Sequence, residues 1–462
     1  MKSLSRIVGV LSLIAILPIS GQVYADSVSI EQRLADLEQQ VAILKRQIEV
    51  DKEGSSTKSK ETPIITASAK DGFSIKSPDD NFKLKVGGYV QADARFFTNN
   101  KKDSSYGTSS FYARRVRPVF SGTVAHDFNF NITPDFSSSS LSIVDAYAEY
   151  AKFPAFKIRA GKFKAPFSIE NLQDSRFNNF AEAGLPANLY PNRELGVQVS
   201  GSLLKDSLTY GVGLFNGAFD ADKYSSTSQS GDNNNDKEIV GRLFIQPFKN
   251  TSLSFLSGLG VGYAASFGHE EGASAPNSYI SPGQVNQFAY SSGITANGPH
   301  IRTSPQASYY YKSFGLLGEY VDSAQDLSKG SGNSLVKDKF HNKAWQISGT
   351  YVLTGEDATY AGVTPRHDFD WANGYFGALE LAGRYGSLRL DRSIFNKGFS
   401  SGTTNISGET AWAAGLNWYL NKNVKTVLDF EHTQFDHGVA ANITNGNRKS
   451  ENVVTSRLQL SF

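Results

Sequence analysis

Polar and apolar residues alternate strictly along residues 83–95, which read KLKVGGYVQADAR. The odd positions of this stretch carry the polar side chains Lys83, Lys85, Tyr89, Gln91, Asp93 and Arg95. The even positions carry Leu84, Val86, Gly88, Val90, Ala92 and Ala94. A period of two residues predicts a β-strand with one wet face and one apolar face. The same period recurs to the last residue, so we predict an all-β fold.

Alternation between turn-forming segments predicts about sixteen strands in all. We place them at residues 82–97, 111–125, 129–137, 141–151, 157–165, 193–203, 207–217, 238–248, 252–267, 303–312, 315–323, 343–354, 376–391, 409–420, 424–435 and 451–462.

The connections between these strands alternate in length. The short connections are residues 126–129, 152–156, 204–206, 249–251, 312–315 and 421–423. The long, polar connections are residues 98–110, 166–192, 218–237, 268–302, 324–342, 392–408 and 436–450. Short turns on one rim and long loops on the other are typical of an outer-membrane β-barrel, whose apolar face meets lipid and whose polar face lines a water-filled lumen. One short-side connection, the insert at 355–375, breaks the rule.

The alternation also assigns side chains to the two faces of the barrel. In the fourth predicted strand Asp145, Tyr147 and Glu149 point inward, and in the thirteenth Glu380 and Arg384 do so. The outward set of the fourteenth strand includes Trp412 and Trp418, which suit an aromatic girdle at the membrane surface. The inward set of the last strand is Thr455, Arg457, Gln459 and Ser461. The closing Phe462 resembles the assembly signal of bacterial outer-membrane proteins.

Residues 1–25 have the pattern of a secretory signal peptide. Lys2 and Arg6 precede an apolar core at residues 7–19, and Ala25 ends a small-residue cleavage site. The alternative is a membrane anchor, but the apolar core is too short to span a bilayer. We therefore expect export to the bacterial outer membrane.

Residues 26–50 change to a helical period. Apolar residues spaced alternately four and three apart form a heptad seam of Ile30, Leu34, Leu37, Val41, Leu44 and Ile48. A helix this short needs partners, so we predict a periplasmic coiled coil that joins subunits, and three strands suit a trimeric barrel. The alternative is a helix that folds onto its own chain. The charged, Ser-rich segment that follows predicts a linker over 51–81, ahead of a barrel at 82–462.

Composition narrows the function classes. The chain has 462 residues, no Cys, 42 Gly and a mean hydropathy of −0.33. Without Cys there is no disulfide or thiolate metal site. Removing Lys2 and Arg6 with the signal leaves 44 basic and 44 acidic residues, which argues against nucleic-acid binding. Any preference for anions must come from where the charges lie.

Inward-facing cations are the candidate ion path. Guanidinium groups bind oxyanions through paired hydrogen bonds, and a ring of them would favour anions in a pore. The candidates are Arg95, Arg114, Arg115, Arg117, Arg159, Lys162, Lys164, Arg193, Arg242, Arg384 and Arg457. The alternative is that lumen arginines only brace the barrel by pairing with Asp93, Asp145, Glu149, Glu380 and Asp429. Arg114 and Arg115 are neighbours, so they face opposite ways unless a bulge intervenes.

The connection at residues 166–192 is the third on the long-loop rim, because a brief link at residues 138–140 precedes it. It carries several aromatic residues and three prolines. It is too apolar for a purely solvated loop, and loops of this length often pack on themselves. We expect it to bend into the lumen and narrow it. The alternative is a loop on the rim that contacts a neighbouring subunit.

Other motifs do not support catalysis or a cofactor. Residues 258–262 (GLGVG) lack the GxGxxG spacing and lie in a predicted strand. The clusters at 269–271 and 366–368 lie in loops, where solvated charges or turn networks are the simpler interpretation. Nothing assembles a catalytic triad, so we predict no enzyme, cofactor or metal.

Several segments resemble the phosphate-selective porin family, porin O and P. They include VGGYVQADARFF (86–97), FYARRVRPVFSGTV (111–124), IRAGKFKAPFSIENL (158–172), NRELGVQVSG (192–201) and GALELAGRYGSLRLD (377–391). The resemblance spans nearly the whole barrel in order. It implies a trimeric sixteen-stranded pore in the outer membrane, a third loop folded inward and uptake of anions such as phosphate. Arg114, Arg115 and Arg117 match a basic motif of that family.

Two other functions stay open. One is a broader pore for other small solutes, such as carboxylates or sugars. The other is a barrel whose long loops act as an adhesin or a structural contact.

Overall fold

The structure is a computed structural model that describes residues 30–68, 72–98, 107–139, 141–217, 235–274, 276–437 and 449–462. The predicted signal peptide and the start of the coiled-coil segment lie outside the described residues. The chain divides into two compact units, Met1–Thr62 and Pro63–Phe462.

The first unit contains one long helix, α1 (Ile30–Glu61). The seam residues Leu34, Leu37, Val41, Leu44 and Ile48 are each between 49% and 59% exposed in the single chain. The helix runs through residues 51–61, which the sequence analysis assigned to a linker, so the linker prediction is wrong there. No helix in the described part of the chain is long and apolar enough to cross a bilayer.

The second unit is built from antiparallel strands. Their bounds are β1 (Ile64–Ser68), β2 (Gly72–Lys76), β3 (Phe82–Phe97), β4 (Ser110–Val124), β5 (Phe128–Asp135), β6 (Ser142–Phe153), β7 (Phe156–Lys164), β8 (Arg193–Leu203), β9 (Leu208–Phe215), β10 (Glu238–Ile245), β11 (Gly260–Ser274), β12 (Tyr279–Ile280), β13 (Asn286–Phe288), β14 (Ile294–Tyr311), β15 (Phe314–Lys329), β16 (Val336–Val352), β17 (Ala378–Arg389), β18 (Ile406–Tyr419), β19 (Val424–His437) and β20 (Ser450–Ser461). Short helices are α2 (Ile169–Leu172), α3 (Ser393–Asn396) and the 3₁₀ turns Leu185–Asn188, Ser254–Leu256, Gly332–Ser334 and Trp371–Asn373.

Sixteen of the described strands close into an antiparallel barrel. Neighbours pair in chain order from β3 to β11 and from β14 to β20, and β11 pairs with β14. The last strand, β20, pairs with β3 from Val453↔Phe97 to Ser461↔Tyr89 and completes the ring. Each of the sixteen described ring strands therefore pairs with a neighbour on both sides, as a barrel in lipid requires. The predicted fold class is confirmed.

The hairpin β1–β2 extends the sheet beside the start of β3, through pairs such as Phe73↔Val86. It occupies part of the segment 51–81 that we predicted as a linker. Alternating residues such as Ile64 and Ile75 supply the β-pattern, which the surrounding charged residues obscured in the sequence.

Strand positions follow the sequence prediction, but several bounds differ, and β14 begins at Ile294 rather than at residue 303. β11 begins at Gly260, because residues 252–259 form a turn that contains the 3₁₀ helix Ser254–Leu256. β15 and β16 are longer than predicted, so the connection between them shrinks from 324–342 to 330–335. Charged residues at the ends of these two strands resembled a loop in the sequence, although they lie on a regular sheet.

The two faces of the strands are distinguished by burial. On β17, Glu380 and Arg384 are buried, whereas Leu381 and Tyr385 are exposed on the outside. The same alternation holds on β20, where Arg457 is buried and Leu458 is exposed. The exposed apolar side chains form the surface that a bilayer would cover.

The barrel interior is filled partly by connections that enter it. Phe163 and Phe215 from the barrel wall pack in one apolar cluster with Leu189 from the third long connection. Phe288 from β13 and Phe399 from the loop after β17 belong to the same cluster. The described connections that carry Leu189, Phe288 and Phe399 therefore pack against the inner side of the wall.

The exposed heptad seam predicts that α1 pairs with copies of itself. Because the chain lacks Cys, Leu37→Cys introduces a single thiol on the seam, and Gln39→Cys places one on the opposite side of the helix. We expect oxidation of the full-length Leu37→Cys protein to give linked dimers on a non-reducing denaturing gel. The Gln39→Cys control should remain monomeric there, and equal crosslinking of both variants would contradict the coiled coil.

Candidate ion path in the barrel lumen

The third long connection, residues 165–192 and here called L3, lies inside the barrel. Its backbone carbonyls at Asn178, Asn179 and Arg176 accept hydrogen bonds from Lys425 (2.8 Å), Asn417 (3.0 Å) and Gln459 (3.2 Å) of the wall. Farther round the ring, on β14, the amide of Gln306 donates to the carbonyl of Phe167. L3 thus contacts several wall strands from inside the ring, in agreement with its predicted inward position.

Local sequence explains the shape of L3. The Ser168 hydroxyl accepts from the backbone N–H of Asn171 and caps α2, as a serine at a helix start commonly does. Pro186 lies within the first turn of the 3₁₀ helix Leu185–Asn188, where it sacrifices no hydrogen bond. Leu185 in this 3₁₀ helix and Leu189 just after it belong to the apolar cluster that contains Phe163 and Phe215.

The Glu182 carboxylate of L3 bonds to two arginines of the barrel wall. One of its oxygens accepts from Arg114 Nε at 2.6 Å and from Arg95 Nη2 at 3.1 Å, and the other accepts from Arg114 Nη2 at 3.0 Å. The carbonyl of Glu182 accepts from Arg384 Nη1 at 2.9 Å. Charge-assisted bonds of this kind are the strongest hydrogen bonds in proteins.

The pKa of Glu182 follows from this setting. Burial raises the pKa of the carboxyl, but the charges of Arg114, Arg115 and Arg95 and the bonds from Arg114 outweigh it and hold the pKa well below its ordinary value of 4.5. The carboxylate therefore stays charged, and its bonds to the wall persist, at acidities where an ordinary glutamate is protonated.

A bulge in the sheet brings neighbouring arginines to the same side. β4 pairs as Gln91↔Arg115 and then Ala92↔Ala113, so Arg114 is an extra residue in the ladder. Arg114 reaches Glu182, and Arg115 Nη1 donates to Gln91 Oε1 at 2.7 Å. Adjacent residues of a regular strand face opposite ways, so the bulge is what allows Arg114 and Arg115 to face the same way.

Most of the other predicted cations are paired with carboxylates. The pairs are Arg117–Asp135 at 2.6 Å, Arg159–Glu149 at 2.6 Å, Arg193–Asp145 at 3.0 Å, Arg384–Glu431 at 3.0 Å and Arg457–Asp93 at 2.7 Å. These contacts match the bracing alternative for Asp93, Asp145 and Glu149. They do not match it for Glu380, which accepts from the hydroxyl of Tyr419, or for Asp429, which accepts from the backbone N–H of Ala181.

Among the predicted ion-path cations, Arg115, Lys164 and Arg242 have no carboxylate oxygen within 4.0 Å in the described part of the chain. The inward-facing Lys425 has none there either. Lys164 Nζ donates to the carbonyl of Gln173 at 2.7 Å, and Arg242 Nε donates to Gln306 Oε1 at 2.9 Å. Neutral partners leave their charge uncompensated.

Lys162 differs from the other candidates. It shares the alternate positions of the exposed Ile158 and Ala160, and it pairs across the sheet with the exposed Leu195. Lys162 is half-buried, and its alternate neighbour Lys164 lines the cavity beside L3, so alternation alone does not settle its face. Its role in the ion path stays a prediction.

A cavity of about 120 Å³ lies between β4 and L3. Its basic lining residues are Arg114, Arg115, Arg117, Lys164 and Arg193, and its acidic ones are Glu170 and Glu182. A neighbouring cavity of about 220 Å³ shares Lys164 and Arg193 with it.

The insert between β16 and β17, residues 353–377, also reaches L3. The Tyr360 hydroxyl donates to the carbonyl of Ile169, and the Gln173 amide donates to the carbonyl of Tyr360 at 2.8 Å. L3 is therefore held from the barrel wall and from the short-turn side.

Sequence reasoning missed several residues that hold L3. Glu182, which carries the main ionic link, was not singled out, because an acidic residue in a loop usually signals solvation. Lys425 and Gln91 occupy inward positions, so alternation could have found both. The described residues contain no group of three His, Asp or Glu side chains that could hold a metal ion.

A closed β-barrel with polar residues inside and an internal loop has the architecture of an outer-membrane porin. The family model "Phosphate-selective porin O and P" matches residues 84–462. The chain belongs to this family, and it is an outer-membrane channel rather than an enzyme.

Individual relatives agree with this assignment. Porin O of Pseudomonas aeruginosa is 25% identical over 428 residues, which cover 86% of this chain and 92% of the relative. The fold is similar to the crystal structure of the outer membrane channel DcaP of Acinetobacter baumannii, with a TM-score of 0.52 and 12% identity. That alignment covers 84% of this chain and 99% of the DcaP chain.

The ionic link at Glu182 predicts the effect of Glu182→Gln. Loss of the charge leaves Arg95 and Arg114 unpaired, at a cost of about 3–5 kcal/mol for a buried pair, so L3 should loosen. We expect larger current fluctuations in single-channel recordings of the variant at pH 7.

Acidification of the wild-type protein provides the matched comparison. A group whose pKa is lowered in the folded state loses its stabilising effect only as the pH falls through that lowered value. Wild-type channels should therefore stay quiet at pH 4.5, the ordinary pKa of a glutamate, whereas Glu182→Gln channels fluctuate at every pH. Fluctuations in wild type that begin near pH 4.5 would contradict the role of Glu182.

Proposed function

We propose that the channel allows passive diffusion of small anions such as phosphate past L3, and that Arg115 and Lys164 guide them. The main support is that these two cations border the cavity between β4 and L3 without a compensating carboxylate among the described residues. The predicted lumen residues Arg95, Arg114, Arg117, Arg159, Arg193, Arg384 and Arg457 would act as bracing cations that shape the path.

The hydrogen-bonding state of Arg115 supports this role. Its Nε is buried and has no hydrogen-bond partner within the described residues, and Nη1 is its one bonded nitrogen there. A guanidinium has five N–H donors, so most of them are available to a passing oxyanion. Lys164 would add a second, point-like charge.

Charge compensation also governs how tightly an anion would be held. The cavity lining contains Glu170 and Glu182, which offset part of the positive field. Conduction requires that a solute bind strongly enough to enter and weakly enough to leave. Arg115 and Lys164 would attract an anion into the cavity, and the nearby carboxylates Glu170 and Glu182 would keep it from binding too tightly to leave.

A broader pore for other small solutes is the second candidate. It is favoured by the ion pairs that neutralise most lumen arginines, since a balanced lumen attracts anions only locally. Carboxylates are oxyanions like phosphate, so Arg115 and Lys164 would attract solutes of both kinds.

We further propose a homotrimer whose α1 helices form a periplasmic coiled coil, after export directed by residues 1–25. The exposed seam of α1 supports this arrangement. A trimer also suits a barrel with exposed apolar residues such as Phe111, which is 79% exposed.

Removing the uncompensated cations should weaken anion preference. We expect Arg115→Gln with Lys164→Gln to lower the anion-to-cation permeability ratio by about fivefold or more, because one unit charge about 4 Å away in water contributes about 1 kcal/mol. Reversal potentials in planar bilayers under a KCl gradient measure this ratio.

The control is Arg159→Gln with Glu149→Gln, which removes one ion pair and no net charge. Its reversal potential should equal that of wild type. Equal potentials for both double variants would refute the assignment of Arg115 and Lys164.

Phosphate should also block chloride current in wild type more strongly than in Arg115→Gln/Lys164→Gln.

A further inference from the structure

The outer face of β16 changes from apolar to basic side chains near the rim that carries the long loops. In order from that rim its exposed residues are Lys337, Lys339, His341, Lys343, Trp345 and Ile347. Alternate residues of a strand point the same way, so the six side chains form one column. The first four members, here called the basic column, lie directly above the apolar ones.

Neighbouring strands repeat this boundary at the same level. Lys343 pairs across the sheet with Asp322 of β15 and with Arg389 of β17. Two residues further along β16, about 7 Å lower, Trp345 contacts Tyr385 edge to face at 5.6 Å between ring centres. Aromatic residues of this kind mark the edge of the bilayer. The basic column therefore lies at the height of lipid head groups.

The ammonium groups of the column are available to a ligand. Lys339 Nζ lies 3.6 Å from Asp326, and Lys343 Nζ lies 3.7 Å from Asp322. Both distances exceed a normal hydrogen bond, and exposed pairs of this kind are weak. The side chains of Lys339 and Lys343 are 47% and 52% exposed. Lys337 Nζ bonds to the amide oxygen of Asn297.

Other charges on this face are compensated more closely. Arg389 forms an ion pair with Asp436 of β19. Asp391 accepts hydrogen bonds from the backbone N–H of His341 and from the hydroxyl of Ser393. The lysines thus form the part of the surface with spare donors.

We propose that the basic column binds the phosphate groups of a lipid in the outer leaflet of the outer membrane. The column continues the lipid-facing surface of the barrel, so acyl chains would lie against Trp345, Ile347 and Tyr385 while phosphates meet Lys337, Lys339 and Lys343. The outer leaflet of this membrane is built from phosphorylated glycolipid, lipopolysaccharide. Charge and position together fit that lipid.

Binding of purified lipopolysaccharide to the full-length protein in detergent tests the proposal. The test variant is Lys339→Gln/Lys343→Gln. The control is Lys152→Gln/Lys205→Gln, which removes the same charge from exposed lysines at the short-turn rim. Each lysine near a charged lipid surface contributes about one kcal/mol, so the test variant should bind about thirtyfold more weakly and the control should bind like wild type.

Further measurements separate the possible ligands. Lipopolysaccharide stripped of phosphate should bind wild type and the test variant equally weakly, and the KCl reversal potential of the test variant should not change. Wild-type affinity in the test variant would overturn the proposal. Competition by millimolar inorganic phosphate would assign the site to a free anion instead. Loss of subunit association in the test variant without lipid would make this surface a protein interface.

Discussion

The structure depends on one constraint: a β-sheet in lipid must pair all of its backbone hydrogen-bonding groups. Unsatisfied groups in hydrocarbon cost several kcal/mol each, so the sheet closes on itself. The pairing of β20 with β3 provides that closure. Once the ring is closed, each strand has one face toward lipid and one toward water, and the alternation of residues follows from that division.

The closed ring also explains why charges gather inside. A basic or acidic side chain in the lumen finds partners on the facing wall or on L3, as Arg457 does with Asp93 and Arg114 with Glu182. The pair of Arg114 with Glu182 holds L3 against the wall, whereas Arg457 and Asp93 join two wall strands. Together with the other lumen pairs they compensate most of the positive charge. What remains for solutes is a small number of cations with neutral partners, and the position of these cations rather than the total charge would set selectivity.

Sequence reasoning predicted the barrel well, because the period of two residues is a direct consequence of the two solvents. It placed Arg384 and Arg457 inward and Trp412 outward, as the structure has them. It was wrong where local composition and geometry diverge. Residues 51–61 look like a linker but are helical, and charged residues on β15 and β16 look like a loop but lie on the sheet.

The candidate site was less predictable because it depends on pairing. Alternation places Arg115 and Arg117 in the lumen, but only the three-dimensional structure shows that Asp135 neutralises one and that an uncharged Gln91 contacts the other. The bulge at Arg114 and the contribution of Glu182 come from tertiary contacts that no spacing in the chain encodes.

The ion selectivity of the wild-type channel tests the central claim most directly. Purified protein in a planar bilayer, with a tenfold KCl gradient across it, should give a zero-current potential closer to the equilibrium potential of chloride than to that of potassium. A zero-current potential closer to that of potassium would contradict the proposed anion preference, because it would mean that the uncompensated cations do not govern the path.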